Sequence, residues 1–248
     1  MRASASELVE LAPHVLLVSG TTAFVAIQEQ TQTLPIVFVN VAEKTVMHFT
    51  GGLARPSGNA TGFAATAFPE KYLEALREVA PSIARVAVIA DPDNPANAAG
   101  TRAIETVAKS LGVQLKEYAP RGAEEIKRAV EAFAGEPKKG GLIVLPSPMA
   151  AVHRDQIIML AGLHHLPAVY PYRYFALMGG LLSYGVDLVD QHRRAAFYVD
   201  RILKGQKIAE LPVQEPIKFE LAINLSTAKA LGLEVSPTVL ARADEVIE

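Results

Sequence analysis

Short runs of continuously apolar residues punctuate this chain, each followed by a small polar turn. "VLLV" (15–18) leads into Ser19-Gly20-Thr21-Thr22, and "PIVFV" (35–39) ends at Asn40. "RVAVIA" (85–90) precedes "DPDNP", "GLIVL" (141–145) precedes "PSP", and "PAVY" (167–170) precedes "PYRY". Strands that are apolar at every position are buried on both faces, the habit of parallel sheets covered on both sides. The segments between them carry helical spacing. Ile104, Val107, Ala108 and Leu111 fall at i, i+3, i+4 and i+7, as do Ile126, Ala129, Val130 and Phe133. Ala195, Val199 and Ile202 mark a further stripe, and Gly112 and Gly205 stand where two of these helices should stop. Alternating strands and amphipathic helices predict a doubly wound α/β architecture.

The alternation breaks at two glycine-rich stretches, "GGLARPSGNATGF" (51–63) and "MGGLLSYGVD" (178–187). Glycine reaches backbone angles that a Cβ forbids, which suits segments that carry the chain from one body to another. Two lobes follow from this reading: residues 1–62 with 186–248 form lobe one, and 63–185 form lobe two. A strand within "EPIKFELAIN" (215–224) and two short helices complete the chain.

Composition narrows the function classes. The chain has 248 residues, half of them hydrophobic, with a formal net charge of −2 and no cysteine. That length and apolar content support a large buried core. The absence of a basic face argues against nucleic acid as a partner. No disulfide and no thiolate metal site is possible. No apolar run is long enough to span a bilayer, and Val15–Val18 is too short for a signal-peptide core. Taken as written, the chain carries no export signal, and a genuine start there implies the cytoplasm.

The first glycine-rich stretch lacks the Lys-Ser/Thr of a P-loop, and G-x-G-x-x-G does not occur. Asn59-Ala60-Thr61 is a sequon, a match short enough to arise by chance. Asp91 and Asp93 could hold a divalent metal on a nucleotide-sugar, or Asp93 or Asn94 could simply cap the next helix. Ser226-Thr227-Ala228-Lys229 matches S-x-x-K without its companion motifs, so Ser226 is read as a helix cap. In open α/β sheets, ligands bind beyond the carboxyl ends of the strands. The residues there are Ser19, Thr21, Thr22, Asn40, Asp93, Asn94, Ser147, Tyr170 and Tyr172, mostly neutral hydrogen-bonding groups without catalytic pairing. Tyr174, Phe175 and Tyr184 extend an aromatic cluster. Within it, Arg173 could pair with a carboxylate while a ring stacks. The plain alternative is that the polar residues cap helices and the rings fill a core.

Several long motifs carry a resemblance. "LPIVFVNVAEKTV…GGLARPSGNATGF", "RVAVIADPDNP", "LPAVYPYRYFALMGGLLSYGVD", "RRAAFYVDRILKGQKIAELPVQEPIKFELAINLSTAKALGLEV" and "ARADEVIE" occur in this order. From about Leu34 to Glu248 the chain resembles ABC-transporter substrate-binding proteins, in the group related to tryptophan- and tyrosine-uptake binding proteins. The resemblance implies a type I periplasmic-binding-protein fold, with two α/β lobes joined by three crossings and closing on a ligand. It implies that the "SGTTA" loop and the "SYG" segment line the ligand cleft, which assigns Ser19, Thr21, Thr22, Ser183 and Tyr184. Members usually show Asp-Pro-Val where this chain has Glu43-Lys44-Thr45. They also begin with an export signal and two further strands with their helices, so lobe one is expected to be incomplete. A strand near Val15–Val18 or Ile36–Val39 then becomes an edge, and a homodimer through lobe one is expected to cover it.

The function implied is a non-catalytic, cofactor-free solute-binding component of an ABC importer. It would take a small organic acid or amino acid, dock on a membrane permease, and reside in the periplasm or outside the cytoplasm. A cytoplasmic small-molecule sensor of the same fold is the alternative, and a metal-dependent enzyme using Asp91 and Asp93 is a third.

Overall fold

Each of the five apolar runs forms a strand. The computed structural model describes residues 2–65, 68–137 and 139–248. The chain divides into two units: Met1–Ala67 with Asp187–Lys218, and Phe68–Val186 with Phe219–Glu248.

Unit one is built on a parallel three-stranded sheet, β1 (Leu16–Ser19), β2 (Ile36–Ala42) and β3 (Ala60–Ala65), in the order β1-β2-β3. β2 reads as an apolar run because helices cover both of its faces. On one side Phe24 and Ile27 of α2 (Thr21–Gln28) and Val46 of α3 (Glu43–Thr50) pack with Ile36 and Phe38, and Ala5 of α1 (Arg2–Glu10) joins them. On the other, Ala195 and Tyr198 of α10 (Leu188–Leu203) pack with Val37, Val39 and Phe63. The free side of β3 is covered by the segment after α10. The Gln214 amide donates to the Gly62 carbonyl at 2.9 Å, Ala64 N–H donates to the Gln214 carbonyl at 2.8 Å, and the Thr61 hydroxyl donates to the Leu211 carbonyl at 2.6 Å. β2 carries an irregularity between Val39 and Val41, where Asn40 adopts φ 56°. Directly beside it, Gly62 sits so close to Phe38 that a Cβ would lie 2.0 Å from the Phe38 carbonyl oxygen.

Unit two holds a seven-stranded sheet in the order β10-β9-β8-β7-β6-β4-β5. Its strands are β4 (Arg85–Ile89), β5 (Gln114–Tyr118), β6 (Gly140–Val144), β7 (Ala168–Tyr170), β8 (Leu182–Val186), β9 (Phe219–Asn224) and β10 (Glu245–Ile247). All neighbours run parallel except β8 and β9. One face is packed by Leu73 and Leu76 of α4 (Pro69–Val79) and Ile104 of α5 (Pro95–Ser110) against Val86, Val88 and Ile143. The other is packed by Ile126, Val130 and Phe133 of α6 (Ala123–Ala134) and Ile157 and Leu160 of α8 (Arg154–Leu163) against Ala87, Leu142 and Val144. Gly112 and Gly205 take left-handed conformations just past α5 and α10, as the spacing predicts.

Several expectations need correction. The stretch 51–63 does not carry the chain between units. Gly51 ends α3 with φ 67°, and residues 60–63 already belong to β3. The chain changes unit after Ala67, after Val186 and after Lys218. Residues 219–248 therefore belong with unit two, because β9 hydrogen-bonds antiparallel to β8. The stretch 178–187 holds β8 and meets its change of unit only at its end. Asn224, not Ser226, caps α11 (Leu225–Ala230), accepting from Thr227 N–H at 2.9 Å. The sequon is closed off: Asn59 is buried, donates to the Leu34 carbonyl at 2.8 Å, and is followed by a fully buried Thr61.

Candidate functional site

The candidate residues fall into two groups, one on each unit. In unit one, the carboxyl ends of β1 and β2 bring Ser19, Thr21, Thr22 and Asn40 to one end of the sheet. Ser19 is exposed, and Gly20, at φ 89°, turns the chain into α2 while its N–H donates to the Val39 carbonyl at 2.9 Å. Thr21 Oγ1 accepts from Ala42 N–H at 2.9 Å, fastening the start of α2 to the end of β2. Thr22 Oγ1 is shielded from solvent and has no hydrogen-bond partner among the described residues. A hydroxyl in that state retains unspent bonding capacity, which a ligand or water can use. The first N–H groups of α2 lie beside it, where an anionic group is favoured.

In unit two, several candidates are already occupied. Asn94 caps α5: its Oδ1 accepts from Ala96 N–H at 3.1 Å and its Nδ2 donates to the Pro146 carbonyl at 2.8 Å. Asn97 donates to the same carbonyl at 3.1 Å and accepts from Asp91 N–H at 2.7 Å, so the loops after β4 and β6 are braced together. Ser147 caps α7 (Pro148–Val152), accepting from Ala150 N–H at 3.0 Å. Tyr170 is 1% exposed and stacks on Phe175 of α9 (Arg173–Leu177) at 5.0 Å, and burial pushes its phenol well above the ordinary range. It is a core ring. Arg173 does not await a ligand carboxylate, because its guanidinium is engaged by Glu245 of β10 through Nε and through Nη2 at 2.8 Å. The hydrogen bond from Arg173 holds the Glu245 carboxyl below its usual range. Ser183 is 1% exposed in β8, and its hydroxyl lacks a partner among the described residues. Tyr184 is half-buried and stacks on Phe219 with ring centroids 6.2 Å apart.

Asp91 and Asp93, the candidate metal pair of the sequence, are engaged with other groups. Asp91 Oδ1 accepts from Asp93 N–H at 2.9 Å, and both Asp93 oxygens take the Arg121 guanidinium at 2.8 Å. A groove of about 470 Å³ lies elsewhere in unit two, lined by Met159, Gly162, His165, Gly179, Ser226 and Thr227 among others. None of the residues singled out from the sequence as ligand contacts lines it. What sequence reasoning missed is an aromatic face in unit two: Phe68, Tyr72 and Phe219 join Tyr184. The available signal is the phenylalanine beside two of the three changes of unit, Phe68 and Phe219, which a reading that puts the changes at the glycines passes over.

Two parallel-sheet units, each wound on both faces, place the protein in the type I periplasmic-binding-protein fold class. The family model for ABC transporter substrate binding protein matches residues 2–247, and the chain belongs to that family. It is 21% identical over 231 residues to a tyrosine-binding protein of Clostridioides difficile (strain R20291), covering 93% of this chain. The chain spans 66% of the length of that relative. It superposes with TM-score 0.89 and 19% identity on an ABC domain in complex with L-Trp from Streptococcus pneumonia, over 99% of this chain and 83% of that one. A conserved domain protein from Vibrio cholerae gives TM-score 0.88 and 26% identity, over 99% and 84% of the respective chains. Family members of this kind work outside the cytoplasm, and no helix among the described residues is long and apolar enough to cross a membrane.

Proposed function

We propose that the protein is a non-catalytic solute receptor of an ABC importer, that it hands its ligand to a membrane permease, and that the ligand is a small organic acid or amino acid carrying an aromatic ring. The observation that carries this reading is the family match over nearly the whole chain, joined to relatives whose names specify tyrosine and L-Trp. The site chemistry agrees. The charged candidates are paired internally, as Arg173 is with Glu245 and Asp93 with Arg121. What remains at the end of unit one's sheet is a neutral hydroxyl on Thr22 beside free helix amides, suited to holding a carboxylate without proton transfer. Periplasmic residence goes with this role. The test is a thermal-shift screen of amino acids, aromatic acids, sugars and nucleosides. L-tryptophan or L-tyrosine at about 100 times Kd should stabilise the fold by about 2.7 kcal/mol. Stabilisation by sugars or nucleosides alone overturns the reading.

A second copy is the proposed partner for the open side of unit one. Leu16 N–H donates to the Pro35 carbonyl and Gly20 N–H to the Val39 carbonyl, so in a parallel ladder the main-chain groups of Leu17 and Ser19 point away from β2. Leu17 is itself 49% exposed. An apolar side chain and main chain that is unpaired among the described residues together favour strand addition. Light scattering at micromolar concentration should return a homodimer, and a stable monomer refutes it.

A further inference from the structure

The helix that covers the second face of unit one's sheet has an outer side with a chemistry of its own. α10 turns Gln191, Ala195 and Tyr198 inward. Val189, Arg193, Phe197 and Arg201 recur at every fourth position, which lines them up along one stripe. Phe197 stands about 200° round the helix from Ala195, and it is 66% exposed. Val189 is 60% exposed, and Leu203, at the helix end, 58%. The acidic residues of this helix and its cap are already matched. Asp190 pairs with Arg194 at 3.6 Å, Asp200 with Lys204 at 2.8 Å, and Asp187 with Lys218 at 2.7 Å. Arg193, Arg201 and Lys207 are exposed and take part in no ion pair among the described residues. The stripe therefore carries a ring between two uncompensated guanidinium groups, on a chain whose formal net charge is −2.

Charge and shape together select what this face fits. A second copy packed two-fold about Phe197 would set arginine against arginine, because Arg193 and Arg201 stand equally far from the ring on opposite sides. The ring also lies on the outside of a helix, a convex surface that asks for a partner able to deform around it. An anionic lipid surface meets both conditions. It is fluid, so a protruding ring enters at the boundary of headgroups and acyl chains. The arginine stems lie along the apolar layer while their charged heads stay at the phosphates. Each cation held near such a surface strengthens partitioning about 5-fold. The family works outside the cytoplasm, which brings the chain within reach of a membrane's outer leaflet.

We propose that the outer face of α10 is a membrane-surface contact. Phe197 enters the interface of an anionic bilayer, and Arg193 and Arg201, with Lys207 beyond the helix end, bind its phosphates. None of these residues is among those weighed for solute binding, so the contact stands or falls independently of the solute reading. It lays unit one on the bilayer by its α10 side.

Vesicle flotation of the full chain tests this, with phosphatidylcholine vesicles that contain or lack about 30% phosphatidylglycerol. The wild type should bind the anionic vesicles at least about 10-fold more tightly than the neutral ones, and about 0.5 M salt should remove the difference. Arg193→Glu with Arg201→Glu should bring binding to anionic vesicles down to the neutral level, and Phe197→Ser should weaken it about 5-fold. Lys127→Glu with Arg128→Glu, on the exposed side of α6, makes the same change in net charge and should leave binding within about 3-fold. All these variants replace exposed side chains, and thermal melts establish folding. Should one α10 variant fail to fold, the other decides. Equal binding to both kinds of vesicle, binding to neither, or wild-type binding by a folded α10 variant overturns the proposal. So does a loss in the α6 variant equal to that in the α10 double variant, which would reduce the effect to overall charge. Binding to polyglutamate without binding to vesicles also overturns it, and assigns the face to an acidic protein.

Discussion

The outermost strand of unit two, β5, exposes Gln114, Lys116 and Glu117, and its opposite edge, β10, is three residues long and starts at an ion-paired Glu245. The outermost strand of unit one, β1, reads Leu-Leu-Val-Ser, carries no charge, and leaves Leu17 half in solvent. β3, on the other side of that sheet, is closed off by the 211–214 segment. Charge and shortness are the ordinary protections of a sheet edge. Three of the four edges here have some protection and β1 has neither charge nor cover among the described residues, which is the contrast that the proposed second copy would remove.

The largest effects should come from a feature the two units share. Each has a glycine pressed on a backbone carbonyl: a Cβ at Gly62 would lie 2.0 Å from Phe38 O, and one at Gly185 would lie 1.9 Å from Pro171 O. Gly62→Ala and Gly185→Ala should each cost about 3 kcal/mol or more, since backbone cannot yield as a side chain does. Hydrogen exchange should show the loss confined to the strand's own unit, and an unchanged melt for either variant would break the symmetry drawn here. Leu17→Lys is the next test. It gives β1 the protection that β5 has, and should convert the proposed dimer to monomer by light scattering while leaving the secondary structure intact. The reverse change, Lys116→Val with Glu117→Val, strips β5 and should produce concentration-dependent association into species larger than the parent's. The smallest effect concerns β10. The Glu245 carboxyl is depressed in the folded state by Arg173, so its contribution is present above the unfolded pKa and is lost as pH falls through the folded one. Glu245→Gln should cost about 0.5 kcal/mol at pH 7, as partly exposed pairs do. The difference from wild type should shrink below about pH 4. A difference that did not shrink on acidification through the carboxyl's titration would show that Glu245 does not act through its charge.

How much of this could be read from the chain depended on whether local chemistry or distant packing decided each element. β2, β4, β6 and β7 are legible because burial on both faces forces nearly every position to be apolar, and β1 is legible from its apolar run although it alternates buried and exposed. β3 was not, since "ATGFAA" is small and holds a glycine; its strand character comes from Gly62 fitting against Phe38 and from Gln214 arriving far along the sequence. β5 reads as polar because an edge strand is guarded by charge, and β8 sits among glycines that signalled a break. The cap residues show the limit for the site. Asn94 and Ser147 have the types and positions of ligand contacts, and only geometry reveals that their oxygens already accept helix amides. Arg173 could not be read correctly at all, because its partner lies 72 residues away.

The antiparallel docking of β9 on β8 has a consequence for synthesis. When residue 186 leaves the ribosome, unit one still lacks α10 and unit two still lacks β9 and β10. Neither body can be completed in turn, amino end first. Unit one waits for residue 218 to cover its second face and the side of β3, and unit two waits for the last 30 residues. During that interval the apolar flank of β8 and the α10-facing side of β2 are both uncovered, the sort of exposed surface that chaperones bind. Pairings of such long sequence separation also make for slow folding. A nascent chain stalled at residue 186 should therefore be far more sensitive to protease than one stalled past residue 248.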